Sequence, residues 1–277
     1  MKNPQAGPEA TTLRIHHLQV LGQKFRVAVR PGSGVPLLLF NGVGAGLEHL
    51  LPFVQRLEGR EAIVFDAPGT GESPLPRMPY RPAFLAQQVA GLLDQLGYTE
   101  VDVLGISWGG LIAQQFAFQF AQRCRRLVLV STGSSLMPQG AGRDMSAARA
   151  ELMEIRGDRP VGWSEPIGIG SQMMAVMGWS SRLWLPRLSQ PTLILAGEKD
   201  AVMPVANGKR LHALIPHSTL HVLDGKHALL SMNGPRCAEL VSAFLQADDA
   251  EVRTEHKEHK ARAPRGWPFN ISALHAA

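Results

Sequence analysis

Val101-Asp102-Val103-Leu104-Gly105-Ile106-Ser107-Trp108-Gly109-Gly110-Leu111 sets a serine between an apolar run and the start of a helical pattern. A short apolar run closed by glycine suits a strand buried on both faces. From Leu111 onward the apolar residues recur at helical spacing. Ser107 is therefore expected on a sharp strand-to-helix turn. Such a turn strains the backbone and brings strand and helix close together, which calls for glycines around it, and it lifts the serine Oγ above the sheet. The Gly-x-Ser-x-Gly spacing alone recurs by chance. In this context it marks a candidate nucleophile, with a plain glycine-rich turn as the competing reading.

The pattern on either side is repetitive. Apolar runs at 36–40, 62–65, 127–130 and 192–196 alternate with helical patterns at 50–57, 84–96, 111–120, 208–214 and 238–245. This order predicts an α/β fold with a mostly parallel central sheet, helices on both faces, and functional loops at the carboxyl ends of the strands. Two strands at 13–20 and 25–30, turning at Gly22-Gln23, open it as a hairpin. From 132 to 189 the alternation gives way to scattered Gly, Pro, Met and Trp, read as a cap inserted into a core of 13–131 and 190–246. The polar start, 1–12, and the charged end, 247–277, lack apolar periodicity and are expected to be flexible.

A serine hydroxyl becomes nucleophilic when an imidazole takes its proton, and the imidazole needs an acid to fix its tautomer. In strand–serine–helix enzymes the acid and the histidine follow the serine in that order. Asp200 comes directly after the run ending at Ala196, and His227 follows a strand at 219–223 and the flexible Gly225. Asp200 is favoured as the acid over Asp224, Glu198 and Asp66, which also stand near strand ends. His227 is favoured over His217 and His221. His16, His17, His256 and His259 read as solvated. Asn41-Gly42-Val43-Gly44-Ala45 follows the strand at 37–40, so the amides of Val43 and Trp108 are the expected oxyanion donors. Asp66-Ala67-Pro68-Gly69-Thr70-Gly71-Glu72-Ser73 lacks the Gly-Lys-Ser/Thr ending of a phosphate loop and reads as a structural turn. No metal-ligand spacing occurs, and His16-His17 would point to opposite faces of a strand.

At 277 residues, with 45% apolar and 18% charged residues, the chain can bury a large core. The net charge of +5 and pI near 9.6 could invite nucleic acid, but basic residues crowd into 123–126 and 253–265 without an RNA-binding motif. No nucleic-acid partner is expected. Cys124 and Cys237 are too few for a disulfide framework and read as buried, inert thiols. There is no apolar leader in 1–12 and no run of about 18 apolar residues. A cytoplasmic protein without a membrane span is expected.

Phe40-Asn41-Gly42-Val43-Gly44-Ala45, Phe65-Asp66-Ala67-Pro68-Gly69-Thr70-Gly71, Gly105-Ile106-Ser107-Trp108-Gly109-Gly110 and Ala113-Gln114-Gln115-Phe116-Ala117 together resemble the intracellular medium-chain-length poly(3-hydroxyalkanoate) depolymerases, which are α/β-hydrolases. The likeness extends through 124–129, Trp179-Ser180-Ser181-Arg182-Leu183-Trp184 and 190–197, and covers roughly 13–245. It implies an α/β-hydrolase fold and a cofactor-free ester hydrolase acting through an acyl-enzyme. Ser107, Asp200 and His227 fall at the family's triad positions. The expected substrate is a polyester or a small ester, and the storage-granule surface is a possible partner; oligomeric state is not legible. The chain departs from the family between 133 and 178, where its cap is shorter. Met173, Met174, Met177, Trp179 and Trp184 are compatible with an apolar acyl group, with lid packing as the competing reading. A cytosolic carboxylesterase or carbon–carbon-bond hydrolase is the alternative enzyme, and a catalytically silent granule-binding protein the alternative of another class.

Overall fold

The computed structural model describes residues 13–136, 144–156 and 166–248. The expected flexible termini, apart from 247–248, lie outside the described residues, as do 137–143 and 157–165 of the expected cap.

The apolar runs become β1 (Arg14–Val20), β2 (Gln23–Arg30), β3 (Ser33–Phe40), β4 (Arg60–Phe65), β5 (Val101–Ile106), β6 (Cys124–Val130), β7 (Thr192–Gly197) and β8 (Ser218–Leu223). They form one sheet in the order β1-β2-β4-β3-β5-β6-β7-β8. The β1–β2 and β2–β4 pairs are antiparallel and every other pair is parallel. Period-two alternation sends neighbouring side chains to opposite faces. Leu38, Phe40, Val101, Val103, Leu127 and Leu129 therefore pack on one side, against α2 (Pro82–Leu96) and α3 (Trp108–Gln119). Leu37, Leu39, Leu104, Val128 and Val130 pack on the other, against α1 (Leu51–Arg56) and the C-terminal helix. Covering both faces is what makes these strands read as unbroken apolar runs.

Several boundaries differ from expectation for local reasons. The hairpin turns at Leu21-Gly22 rather than Gly22-Gln23: both turn residues have positive φ, 48° and 81°, and Gln23 already belongs to β2. A two-residue type I′ turn requires this of both positions. Helix α3 starts at Trp108, not near Leu111. Its first turn contains Gly109 and Gly110, weak helix formers that hide the start. A Cβ at Gly109 would lie 2.3 Å from the carbonyl oxygens of Phe40 and Asn41, so close approach of β3 dictates glycine there.

The connection from β6 to β7, read from the sequence as a cap without assigned elements, contains α4 (Met145–Arg156) and α5 (Pro166–Ala175). Beyond β7 come α6 (Val205–Leu214), α7 (Leu229–Met232) and α8 (Gly234–Gln246). Among the described residues no helix is long and apolar enough to cross a membrane.

Candidate active site

At the end of β5, Ser107 adopts φ 51° and ψ −118°. A residue with a side chain in so sparsely populated a region costs on the order of 1–3 kcal/mol and persists only where its surroundings fix it. Here the Ser107 N–H donates to Val130 O at 3.0 Å, while its carbonyl accepts from Gly110 N–H at 3.0 Å and from Thr132 Oγ1 at 2.7 Å. A Cβ at Gly105 would come within 2.6 Å of Ala113 Cβ, so strand and helix touch at this point. The turn leaves Ser107 half-buried, with Oγ directed at the loops after β7 and β8.

Those loops are packed together at their roots. Glu198 N–H donates to Leu223 O at 2.8 Å and Lys199 N–H to Gly225 O at 3.0 Å. Their side chains meet above Ser107. His227 Nε2 lies 2.8 Å from Ser107 Oγ, and His227 Nδ1 lies 2.9 Å from Asp200 Oδ2. The other Asp200 oxygen accepts the Met203 N–H at 2.6 Å, and the carboxylate is fully buried. The rival acids go elsewhere. Asp224 is exposed and pairs with Lys199 at 2.7 Å, and Glu198 is exposed. Asp66 is buried, accepting from Leu47 N–H at 2.7 Å and Glu72 N–H at 2.9 Å beside Arg26; it holds its own turn together.

The loop after β3 stands beside the serine: a Cβ on Gly42 would be 4.0 Å from Ser107 Cβ. Asn41 braces it, donating to Gly46 O at 2.6 Å and accepting from Gly42 N–H at 2.9 Å. The Val43 N–H donates no hydrogen bond within the described residues. Trp108 is the first residue of α3, where the N–H has no intrahelical acceptor. Two amides, one on Trp108 directly after Ser107 and one on the loop beside it, are thus left available. An imidazole bridging a hydroxyl and a buried carboxylate, beside unpaired amides, can take a proton from Ser107 and stabilise an oxyanion formed on its target.

A profile of the alpha/beta hydrolase fold matches residues 35–180. The poly(3-hydroxyalkanoate) depolymerase of Ectopseudomonas oleovorans is 37% identical over 261 residues, spanning 82% of this chain and 90% of that protein. The chain belongs to the poly(3-hydroxyalkanoate) depolymerase family of α/β-hydrolases. More distantly, 3-oxoadipate enol-lactonase 2 of Acinetobacter baylyi is 29% identical, over 69% of this chain and 82% of that protein. A crystal structure of a hydrolase from Pseudomonas aeruginosa PA01 superposes with a TM-score of 0.73 at 26% identity, covering 86% of this chain and all of the other. The resemblance carried by the motifs is thus borne out at the level of the depolymerase family.

In this depolymerase-family chain the large apolar residues between β6 and β7 differ in what they touch. Trp179 donates from Nε1 to Gln115 Oε1 at 2.9 Å, and Trp184 stacks on Phe118 with ring centroids 4.5 Å apart. Gln115 and Phe118 stand about 10–15 Å along α3 from its first residue, so both indoles pack along the helix rather than over Oγ. Met174 and Met177 are exposed and Met173 is half-buried.

Two polar residues that sequence reasoning passed over reach the site instead. Gln172, fully buried on α5, accepts the Gly44 N–H on Oε1 at 2.7 Å, and its carbonyl accepts the Trp108 indole N–H at 2.9 Å. Glu151, buried on α4, accepts the backbone N–H of His227 on one oxygen and that of Ala201 on the other, the latter at 3.0 Å. In the sequence Glu151 sits in Ala-Glu-Leu-Met-Glu-Ile-Arg, indistinguishable from a solvated helix face. Among the described residues no group of three or more His, Cys, Asp or Glu is arranged to hold a metal ion.

Proposed function

We propose that the protein is a serine-dependent ester hydrolase that depolymerises intracellular medium-chain-length poly(3-hydroxyalkanoate). Ser107 is the nucleophile, His227 the base and then the acid, and Asp200 the group that orients and stabilises the imidazolium. Ser107 Oγ attacks the ester carbonyl as His227 Nε2 takes its proton. The amides of Val43 and Trp108 hold the tetrahedral oxyanion. Collapse returns the proton to the departing hydroxyl of the polymer and leaves an acyl-serine. Water, activated by the same imidazole, then releases the hydroxyacid. The chemistry requires no cofactor. The observation that carries this reading is the unbroken line from Asp200 Oδ2 through His227 to Ser107 Oγ, with contacts of 2.9 and 2.8 Å.

The polyester follows from kinship with the depolymerase. The 132–189 insertion serves as a cap over the acyl site, a role supported by the contacts of α4 and α5 with the catalytic loops. A stored polyester as substrate supports a cytoplasmic location at the granule surface. The likeness to an enol-lactonase supports a second reading, hydrolysis of small soluble esters by the same residues.

Para-nitrophenyl esters of short and medium chain, set beside amorphous medium-chain polyhydroxyalkanoate granules, separate the two. Wild type is expected to clear granules, and Ser107→Ala to lose at least about a thousandfold in rate on both substrates. Serine-dependent cleavage of the small esters alone favours the second reading. Undiminished hydrolysis by Ser107→Ala rejects both, and so does a folded wild type that a serine-directed phosphonate leaves unlabelled.

A further inference from the structure

We propose that Glu151 is a positioning residue that sets His227 and Asp200 relative to one another, from outside the core that carries them. The proposal rests on the triad assignment above and adds to it a residue of the β6–β7 insertion. Three observations support it.

The Glu151 carboxylate is buried, only 6% of the residue being exposed. A buried carboxylate is unfavourable unless its oxygens are hydrogen-bonded. Both Glu151 oxygens are satisfied, and by two different loops: one takes the N–H of His227, after β8, and the other the N–H of Ala201, next to Asp200 after β7. One rigid, planar group therefore spans the two backbone segments whose side chains must meet at Nδ1 and Oδ2. Bonds to an ionised acceptor are roughly twice as strong as neutral ones.

Besides the His227–Asp200 contact itself, these loops are tied by backbone bonds nearer the strand ends, Glu198 to Leu223 and Lys199 to Gly225, and by the exposed Lys199–Asp224 ion pair. The other polar contact of α4 with this region, Glu154 to Lys226 at 2.7 Å, is an exposed ion pair. Such pairs contribute little, so Glu151 is the buried polar link from α4 to both loops, beside the apolar contact of Ala148 with Val202 and Met203 on the β7 side. Without Glu151, the N–H groups of His227 and Ala201 lose their common acceptor, and the two catalytic loops lose a constraint on their spacing. A misplacement of about 1 Å costs on the order of a hundredfold in rate.

The test compares wild type, Glu151→Ala, Glu151→Gln, Glu154→Ala and Ser107→Ala. The measurements are kcat and KM on a soluble para-nitrophenyl ester, the second-order rate of labelling by a small serine-directed phosphonate, and the thermal midpoint. Glu151→Ala is expected to lower kcat by about ten- to a hundredfold with KM little changed, and to slow phosphonate labelling in parallel. Glu151→Gln, whose amide oxygen accepts only one of the two N–H groups, should recover part of the loss, and Glu154→Ala should match wild type.

Wild-type kcat and labelling in the Glu151 variants overturn the proposal. So does a rise in KM alone with labelling unaltered, which assigns Glu151 to holding the insertion over substrate. Should Glu151→Ala fail to fold, the isosteric Glu151→Gln decides: reduced kcat at an unchanged thermal midpoint supports positioning, and wild-type kcat rejects it. A wild type that neither cleaves ester nor takes the phosphonate at Ser107 brings down the triad assignment itself. An active wild type, an inert Ser107→Ala and unaltered Glu151 variants bring down Glu151 alone.

Discussion

Asp200 and Asp224 each follow a strand of the sheet, and their carboxylates end in opposite surroundings: one is buried against His227, the other is in solvent beside Lys199. Replacing Asp200 by Asn removes the acceptor that fixes the imidazole tautomer, and kcat/KM should fall by about ten-thousand-fold. Asp224→Asn breaks an exposed ion pair and should leave kcat/KM within about twofold of wild type. Parallel kinetics on one ester check both, and the larger loss falling on Asp224→Asn would reverse the assignment. Ser107 and His227 were legible because a nucleophile elbow and a histidine after the last strand are positions in the chain order, visible without coordinates. The choice among Asp200, Asp224 and Glu198 was less so. All three share a strand-end address, and what separates them is which way a loop faces, a property set by the close packing of the β7 and β8 loops.

The strands were readable because burial on both faces writes itself as apolar runs. Helices α4 and α5 were not, for a physical reason. Helix α5 buries Gly168, Gln172 and Ala175, and α4 buries Ala148 and Glu151. Small and polar residues at helical spacing leave no hydrophobic periodicity to detect, and Gly168 and Gly170 lower the helix propensity further. At the other end of the molecule, arginines finish α8. Arg126 donates to Phe244 O and to Ala247 O, and Arg60 and Arg125 donate to Leu245 O while flanking the buried Asp102. The last carbonyls of a helix lack partners in the helix and carry its negative end. Arg126→Leu, at a site only 1% exposed, should cost about 2–4 kcal/mol in urea denaturation by stranding those carbonyls and unbalancing the Asp102 cluster. Ester hydrolysis at 25 °C should persist, since this end of the sheet is remote from Ser107. An unchanged urea midpoint would deny the cluster its structural role.

For the molecule as a whole, the two layers of core are cooperative only if they unfold together, and the cysteines report on each. Cys124 is buried on the side of α2 and α3, and Cys237 on the side of α1 and α8. Burial pushes both thiols up, Cys124 well above its ordinary value and Cys237 to about 11, so neither forms thiolate readily. Native protein at pH 8 should therefore react with neither cysteine toward a disulfide reagent, and both should become reactive across one denaturant transition. Separate labelling midpoints would show that the two layers come apart independently. The charge balance is also redistributed by folding. Arg30 and Arg126 are buried, so part of the basic excess counted in the sequence serves interior carbonyls rather than the surface.

The reach of Glu151 and Gln172 from the insertion into the loops around Ser107 bears on how such a protein can be re-engineered or diversify. Under the proposed cap role, grafting a foreign segment between β6 and β7 to change substrate preference would also delete two hydrogen-bond partners of the loops around Ser107. A productive transplant must bring its own carboxylate and amide to the same amides, so under that role turnover and selectivity would be inherited as one unit.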